Sequence, residues 1–220
     1  MQKFDTPAPI AAVLDIPAGR VQLIAADRED TAVEIRPADA SKGRDQKAAE
    51  QTTVAYADGV LRIETTVGNQ YFGSSGAIEV TVQLPAGSRV EAKTASAEFR
   101  GVGRLGDVTY ESAHGPVKLD EAASLRLTTE AGDITVGRLN GPAEVTTSKG
   151  DITIAEAVRG TVSLTTQAGG ISVGAAAGVS AALDAGTGHG RITNDLRNDG
   201  GTELDIHATT SYGDIVARSL

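Results

Sequence analysis

The sequence predicts an all-β chain wound into a single-stranded β-solenoid, a β-helix of short parallel strands. Three observations carry that prediction. First, one phrase keeps returning: two threonines, two variable residues, glycine, aspartate and isoleucine. It occupies 128–134, 146–152 and 209–215, and 165–171 repeats it with Gly170 in the aspartate position. Second, Ala97, Gly115, Gly132, Gly150, Gly169, Gly190 and Gly213, taken as equivalent, follow at steps of 18, 17, 18, 19, 21 and 23 residues. Such periods belong to solenoids. Third, apolar residues alternate with polar ones on both sides of the glycine, as in Leu125 and Leu127 before it and Ile134 and Val136 after it. A period of two is strand.

Taken in order, the chain opens with a looser version of the same theme. Residues 13–16, a Pro17-Ala18-Gly19 corner and residues 21–25 read as strand, corner, strand, and 31–36 as a further strand closed by Pro37. The polar, alanine-rich stretch 38–51 reads as a surface loop with room for a turn or two of helix. Residues 52–56 and 60–64 flank Ala57-Asp58-Gly59, a hairpin signal. Residues 66–76 form a glycine-rich loop carrying Tyr71 and Phe72. The strongest single strand is 77–84, with Ile78, Val80, Val82 and Leu84 on one face before Pro85-Ala86-Gly87.

From Arg89 onward the coils are regular. Weak copies at 93–99 and 111–117 lead into the clean ones, and 184–192 is a stretched copy around Gly190. Each coil holds two short strands joined at a glycine corner, and Leu139-Asn140-Gly141 and Val158-Arg159-Gly160 return the chain to the next coil. One coil cannot bury its own inward side chains, so each strand must pair in parallel with its equivalents about 4.8 Å away. The glycine supplies a backbone conformation or close approach that other residues resist, and the aspartate bonds neighbouring amides. The handedness rule for parallel crossovers predicts a right-handed coil. The expected organisation is one continuous unit: irregular β coils and an N-terminal cap over 1–88, then regular solenoid over 89–220.

Composition narrows the function. The 220 residues carry 20 basic and 29 acidic side chains, a formal net charge of -9, and both parts remain acidic when the chain is divided after Arg89. Nucleic acid is therefore not an expected partner, since its backbone demands a basic footprint. Cysteine is absent, which removes disulfides and thiolate metal sites. The N-terminal stretch is broken by aspartates and prolines, with no apolar core of a signal peptide, and no apolar run is long enough to span a membrane. These features predict a cytoplasmic chain, with the cell surface as the alternative.

The Gly-Arg-Val-Gln-Leu phrase near residue 20, the strand 78–85 ending in Leu-Pro, and the Thr-Thr-x-x-Gly-Asp-Ile repeats at 128, 146 and 209 resemble a bacterial family. It comprises β-strand-repeat proteins of unknown function that carry the label "putative adhesin". The resemblance covers nearly the whole chain. It implies a surface role, and because its motifs are structural it carries no catalytic residue across.

Several groups of residues invite a chemical reading. Asp133 and Asp151 hold the same corner of adjacent coils, so their carboxylates are expected roughly 5 Å apart, the separation of a retaining glycosidase pair. Turn chemistry explains them equally, and the recurrence at Asp214 favours it. His189 lies in a Gly-His-Gly-Arg phrase reminiscent of polygalacturonase sites, without their paired aspartates. His207 reads as an outward strand residue. Thr135, Thr153, Ser172 and Thr193 are expected to form an outward hydroxyl column, which strand preference alone accounts for. Tyr71 and Phe72 are the candidate partner-binding residues, since aromatics on loops often anchor partners.

The reading is a non-enzymatic scaffold or interaction protein, with no catalytic, cofactor or metal-ligating residue assigned and no cofactor expected. A surface adhesin or carbohydrate binder and a polysaccharide-active β-helix enzyme are the alternatives. The expected partner is a protein or a second copy, docked through the C-terminal coil at 209–216, where Ile215 and Val216 would sit on an open edge.

Overall fold

A computed structural model describes residues 1–66 and 76–220 of the chain. Tyr71 and Phe72 lie outside the described residues. The chain forms two compact units, Met1–Gly115 and Pro116–Leu220. The change of regularity near Ser88 marks where the repeat phrase becomes recognisable, whereas the units divide by compactness.

The first unit contains β1 Gln2–Asp5, β2 Ala11–Ala26, β3 Asp30–Pro37, α1 Gly43–Glu50, β4 Thr52–Ala57, β5 Val60–Thr65, β6 Ile78–Pro85 and β7 Arg89–His114. The long strand β2 is its spine. Its first half pairs in parallel with β5, its second half with β6, and β7 follows it in parallel from Ala11↔Arg89 to Ile24↔Val102. Gly19 lets β2 pass the corner, at φ +124, where a Cβ would lie 1.9 Å from the Ile78 carbonyl oxygen. Antiparallel strands complete the unit: β4 on β5, β3 on β6 and β1 on β3. Asp58 and Gly59, both at positive φ, make the β4–β5 turn that the Asp-Gly pair predicts. Helix α1 is tied down by the buried Asp45, whose Oδ1 accepts the Ala77 N–H at 3.0 Å.

The core of this unit departs from a purely aliphatic filling. Phe99 and Tyr110 are fully buried and stacked, with ring centroids 4.3 Å apart. The Tyr110 hydroxyl is paired with the Thr94 hydroxyl at 2.9 Å, which removes the cost of burying it.

The second unit contains β8 Val117–Ala131, β9 Ile134–Leu139, β10 Ala143–Lys149, β11 Ile152–Ala157, β12 Gly160–Ala168, β13 Ile171–Ala175, β14 Ala181–His189, β15 Ile192–Asp195, β16 Leu204–Tyr212 and β17 Ile215–Ser219. All its ladders are parallel, and equivalent residues of the phrase face each other. Thr146 pairs with Thr128 and Thr165, and Ile152 with Ile134 and Ile171. Inward residues such as Leu127, Val145, Leu164, Ile134, Ile152 and Ile171 are at most 1% exposed. At about 25 cal/mol per Å², this apolar column is the main stabilising term.

The stacking order differs from the chain order. Strand β12 pairs with β16, β16 with β14, β13 with β17, and β17 with β15. The last repeat in the sequence therefore lies inside the stack, and the stretched copy β14–β15 lies outside it. The expectation that 209–216 forms the open edge is corrected accordingly: Val216 faces Ser172 on one side and Thr193 on the other. Two longer connections, 176–180 and 196–203, give the chain the length to pass over one coil and return. An outer coil has only one neighbour to match, which leaves the copy at 184–192 room to stretch, whereas Thr209 to Ile215, paired on both sides, keeps the full phrase. Ile192 of the outer coil is 42% exposed, against 1% for Ile215.

Candidate functional site

The glycine corner of the second unit is where the repeat concentrates polar groups. Gly150, Gly169 and Gly213 adopt φ of +141, +158 and +150. The closeness of neighbouring coils matters as much as the dihedral. A Cβ on Gly150 would lie 2.3 Å from the Gly132 carbonyl oxygen, and one on Gly169 would lie 2.0 Å from that of Gly150. The second threonine of the phrase points inward beside this column. Thr166 Oγ1 donates to the Gly150 carbonyl at 3.1 Å, and Thr210 Oγ1 to that of Gly169 at 3.0 Å. The first threonine, Thr165 or Thr209, is exposed.

The aspartates after the glycines form a ladder between coils. Asp133 Oδ1 accepts the N–H of Asp151 at 3.0 Å, Asp151 Oδ1 that of Gly170 at 2.7 Å, and Asp214 Oδ1 that of Arg191 at 2.8 Å. Asp133 and Asp151 are brought together as their spacing implied. Their hydrogen bonds are those of a structural clamp: each carboxylate satisfies a backbone donor that the open corner would otherwise leave to water.

The remaining candidates are placed as follows. His207 is exposed, with Nδ1 3.6 Å from Asp184 of the neighbouring coil. The hydroxyl column is interrupted, because Val216 stands between Ser172 and Thr193. His189 stacks on Tyr212 at 4.9 Å between ring centroids and 12° between planes. Among the described residues, no three His, Cys, Asp or Glu side chains converge into a metal site, and no helix is long and apolar enough to cross a membrane.

One feature of the corner was overlooked in the sequence. The coil of β12–β13 turns through Ala168, Gly169 and Gly170, so both positions flanking its corner glycine are small. Neighbouring coils carry Lys149 and Asp151 or Tyr212 and Asp214 there. A depression of about 200 Å³ opens at Gly170, bordered by Asp151, Thr153, Ser172, Asp214 and Val216. The departure of Gly170 from the aspartate of the repeat was the available signal.

None of the curated proteins matches the chain. Among solved structures, the chain is similar to a "putative cell adhesion protein" of Clostridium sporogenes at 12% identity and a TM-score of 0.43. That alignment covers 100% of this chain and 98% of the other. It is also similar to a "putative adhesin" of Bacteroides fragilis at 13% identity and a TM-score of 0.48, covering 98% and 95% of the two chains. A "putative adhesin" of Parabacteroides distasonis aligns at 17% identity and a TM-score of 0.47, again covering 98% and 95%. The sequence pattern of the Toastrack DUF4097 family matches residues 13–219, and the chain belongs to that family.

Proposed function

We propose that the chain is a non-enzymatic interaction scaffold that associates with a second copy through the open coil β14–β15. The observation that carries this reading is one-sided pairing. Among the described residues, β14 has only β16 as a ladder partner and β15 only β17. The N–H of Ala181 is taken by the Arg197 carbonyl at 2.9 Å, and beyond it such an edge offers a row of N–H and C=O groups with no ladder partner. Natural edges are usually blunted with lysine or proline, and the nine residues of β14 contain neither. Its inward positions are small or apolar and ready to continue a core. A two-fold axis crossing both stacks would lay β14 antiparallel on its own copy with inward faces still inward, a closed arrangement.

The non-enzymatic half of the reading is supported by the aspartate ladder, whose carboxylates are engaged by backbone donors. The absence of cysteine leaves such a scaffold indifferent to redox state. Light scattering at micromolar concentration is expected to report a mass above one chain. Ile192→Lys, which sets a charge where a second copy would stack but leaves it access to water in the monomer, is expected to return a single-chain mass with little change in melting temperature. A wild-type monomer at high concentration, or an unchanged mass for Ile192→Lys, contradicts the proposal.

A further inference from the structure

The notch at the corner of β12–β13 has walls of different chemistry. Ala168, Gly169 and Gly170 form a low step in the corner, and Gly170 borders the depression. Lys149 and Tyr212 flank Ala168 one strand away on either side, and Asp151 and Asp214 border the depression at Gly170. Two strand spacings put the walls about 9.6 Å apart. Tyr212 is 61% exposed, and its ring already rests on His189 from the outer coil. The rings are nearly parallel and one strand apart, so the second face of Tyr212 is turned toward the coil of Ala168, whose methyl group is too short to cover it. A ring stacked there at about 4.5 Å takes up about half of that separation.

The polar groups are arranged to complement such a ring. Asp151 leans over the step: its Oδ1, which accepts the Gly170 N–H, would lie 3.8 Å from a Cβ at that position. Its carboxylate has lone pairs left for hydroxyl donors. In the ladder, the N–H of each coil finds the aspartate of the coil before it. The coil before Asp214 carries Gly170 instead, which offers no carboxylate to the Asp214 N–H, and Asp214 borders the depression. The hydroxyls of Thr153 and Ser172 border the same space. An apolar face to stack, a carboxylate to accept hydroxyl protons and an amide to donate to a hydroxyl oxygen are together what a pyranose ring requires.

We propose that this notch binds a sugar ring of an oligosaccharide, stacked on the free face of Tyr212 and hydrogen-bonded to Asp151 and the Asp214 N–H. The site goes beyond the scaffold reading and does not depend on self-association, because its walls and step belong to coils inside the stack.

The experiment is a titration of the full chain, and of its Ile192→Lys variant, with cellohexaose, chitohexaose and hexagalacturonate, followed by amide chemical shifts and calorimetry. At millimolar concentration at least one of them is expected to shift the amides of Ala168, Gly169, Gly170 and Asp214. Tyr212→Ala is expected to weaken binding at least tenfold. Gly170→Asp fills the depression at a position where no left-handed backbone opposes a side chain, and it is expected to weaken binding as much while keeping the protein folded. Binding by Ile192→Lys equal to wild type separates this site from association at the outer coil. The proposal is overturned if none of the three oligosaccharides shifts these amides, or if Tyr212→Ala and Gly170→Asp both bind like wild type.

Discussion

Asp151 and Gly170 are joined across adjacent coils by a 2.7 Å hydrogen bond from the glycine N–H to the aspartate Oδ1. The bond adds a side-chain tie between two backbone ones, from the Gly150 N–H to the Ala168 carbonyl and from the Ile152 N–H to the Gly170 carbonyl, both at 2.9 Å. Removing the carboxylate in Asp151→Ala is expected to destabilise the protein by about 1–2 kcal/mol, the worth of a hydrogen bond to a charged acceptor in a partly open site. Urea unfolding with an unchanged m-value checks it.

Gly150 combines a left-handed dihedral with a carbonyl only 2.3 Å from where its Cβ would be. Gly150→Val must strain the backbone and push the neighbouring coil away. A loss of more than about 1 kcal/mol is expected, read as a lower melting temperature.

The opposite sign is expected at Gly170. A Cβ there meets nothing closer than the Asp214 carbonyl oxygen at 3.4 Å. In Gly170→Asp the new carboxylate can accept the Asp214 N–H and complete the ladder, while the unfolded chain loses some of its freedom. Repulsion from Asp151 and Asp214, each about 5 Å away, costs about 0.8 kcal/mol per pair in water. The net expectation is a gain of about 1 kcal/mol that grows as salt screens the repulsion, measured as melting temperature against sodium chloride.

The two threonines of the phrase should respond differently. Thr166 is 2% exposed and donates to the Gly150 carbonyl, whereas Thr165 is exposed. Thr166→Val is expected to cost about 1–2 kcal/mol by removing a donor from the part-buried Gly150 carbonyl. Thr165→Val should stay within about 0.5 kcal/mol. Equal effects in denaturant melts would place the hydroxyls wrongly.

The glycine phrase made the coil legible because its parts answer local demands. A corner with a carbonyl behind it excludes every side chain, so Gly132, Gly150, Gly169 and Gly213 could be aligned by eye, and with them the register of Thr146 on Thr128. The order of the coils was not legible, because each phrase encodes a shape that fits any equivalent neighbour. Only the weaker match of 184–192 and the longer steps of 21 and 23 residues hinted that this copy lies outside. The antiparallel pairing of β3 with β6 was equally hidden, since it obeys no repeat. At the corner, spacing alone placed Asp133 beside Asp151, but a catalytic pair and a clamp share that spacing. The backbone N–H at the end of each carboxylate separates the two readings, and a sequence does not display it.

Hydrogen exchange at two protein concentrations tests the central claim most directly, because it reads the coil order and the open edge together. The amides of Leu204 to Tyr212 and Ile215 to Ser219 should be strongly protected at both concentrations, as befits strands with partners on two sides. The alternate amides of Leu183 to His189 that face away from β16, beyond the Ala181 N–H that the Arg197 carbonyl already holds, should exchange freely in dilute protein and become protected as concentration rises. Contradiction would take either of two forms: protection in Leu183 to His189 that ignores concentration, or concentration-dependent protection at Thr209 to Ile215 instead.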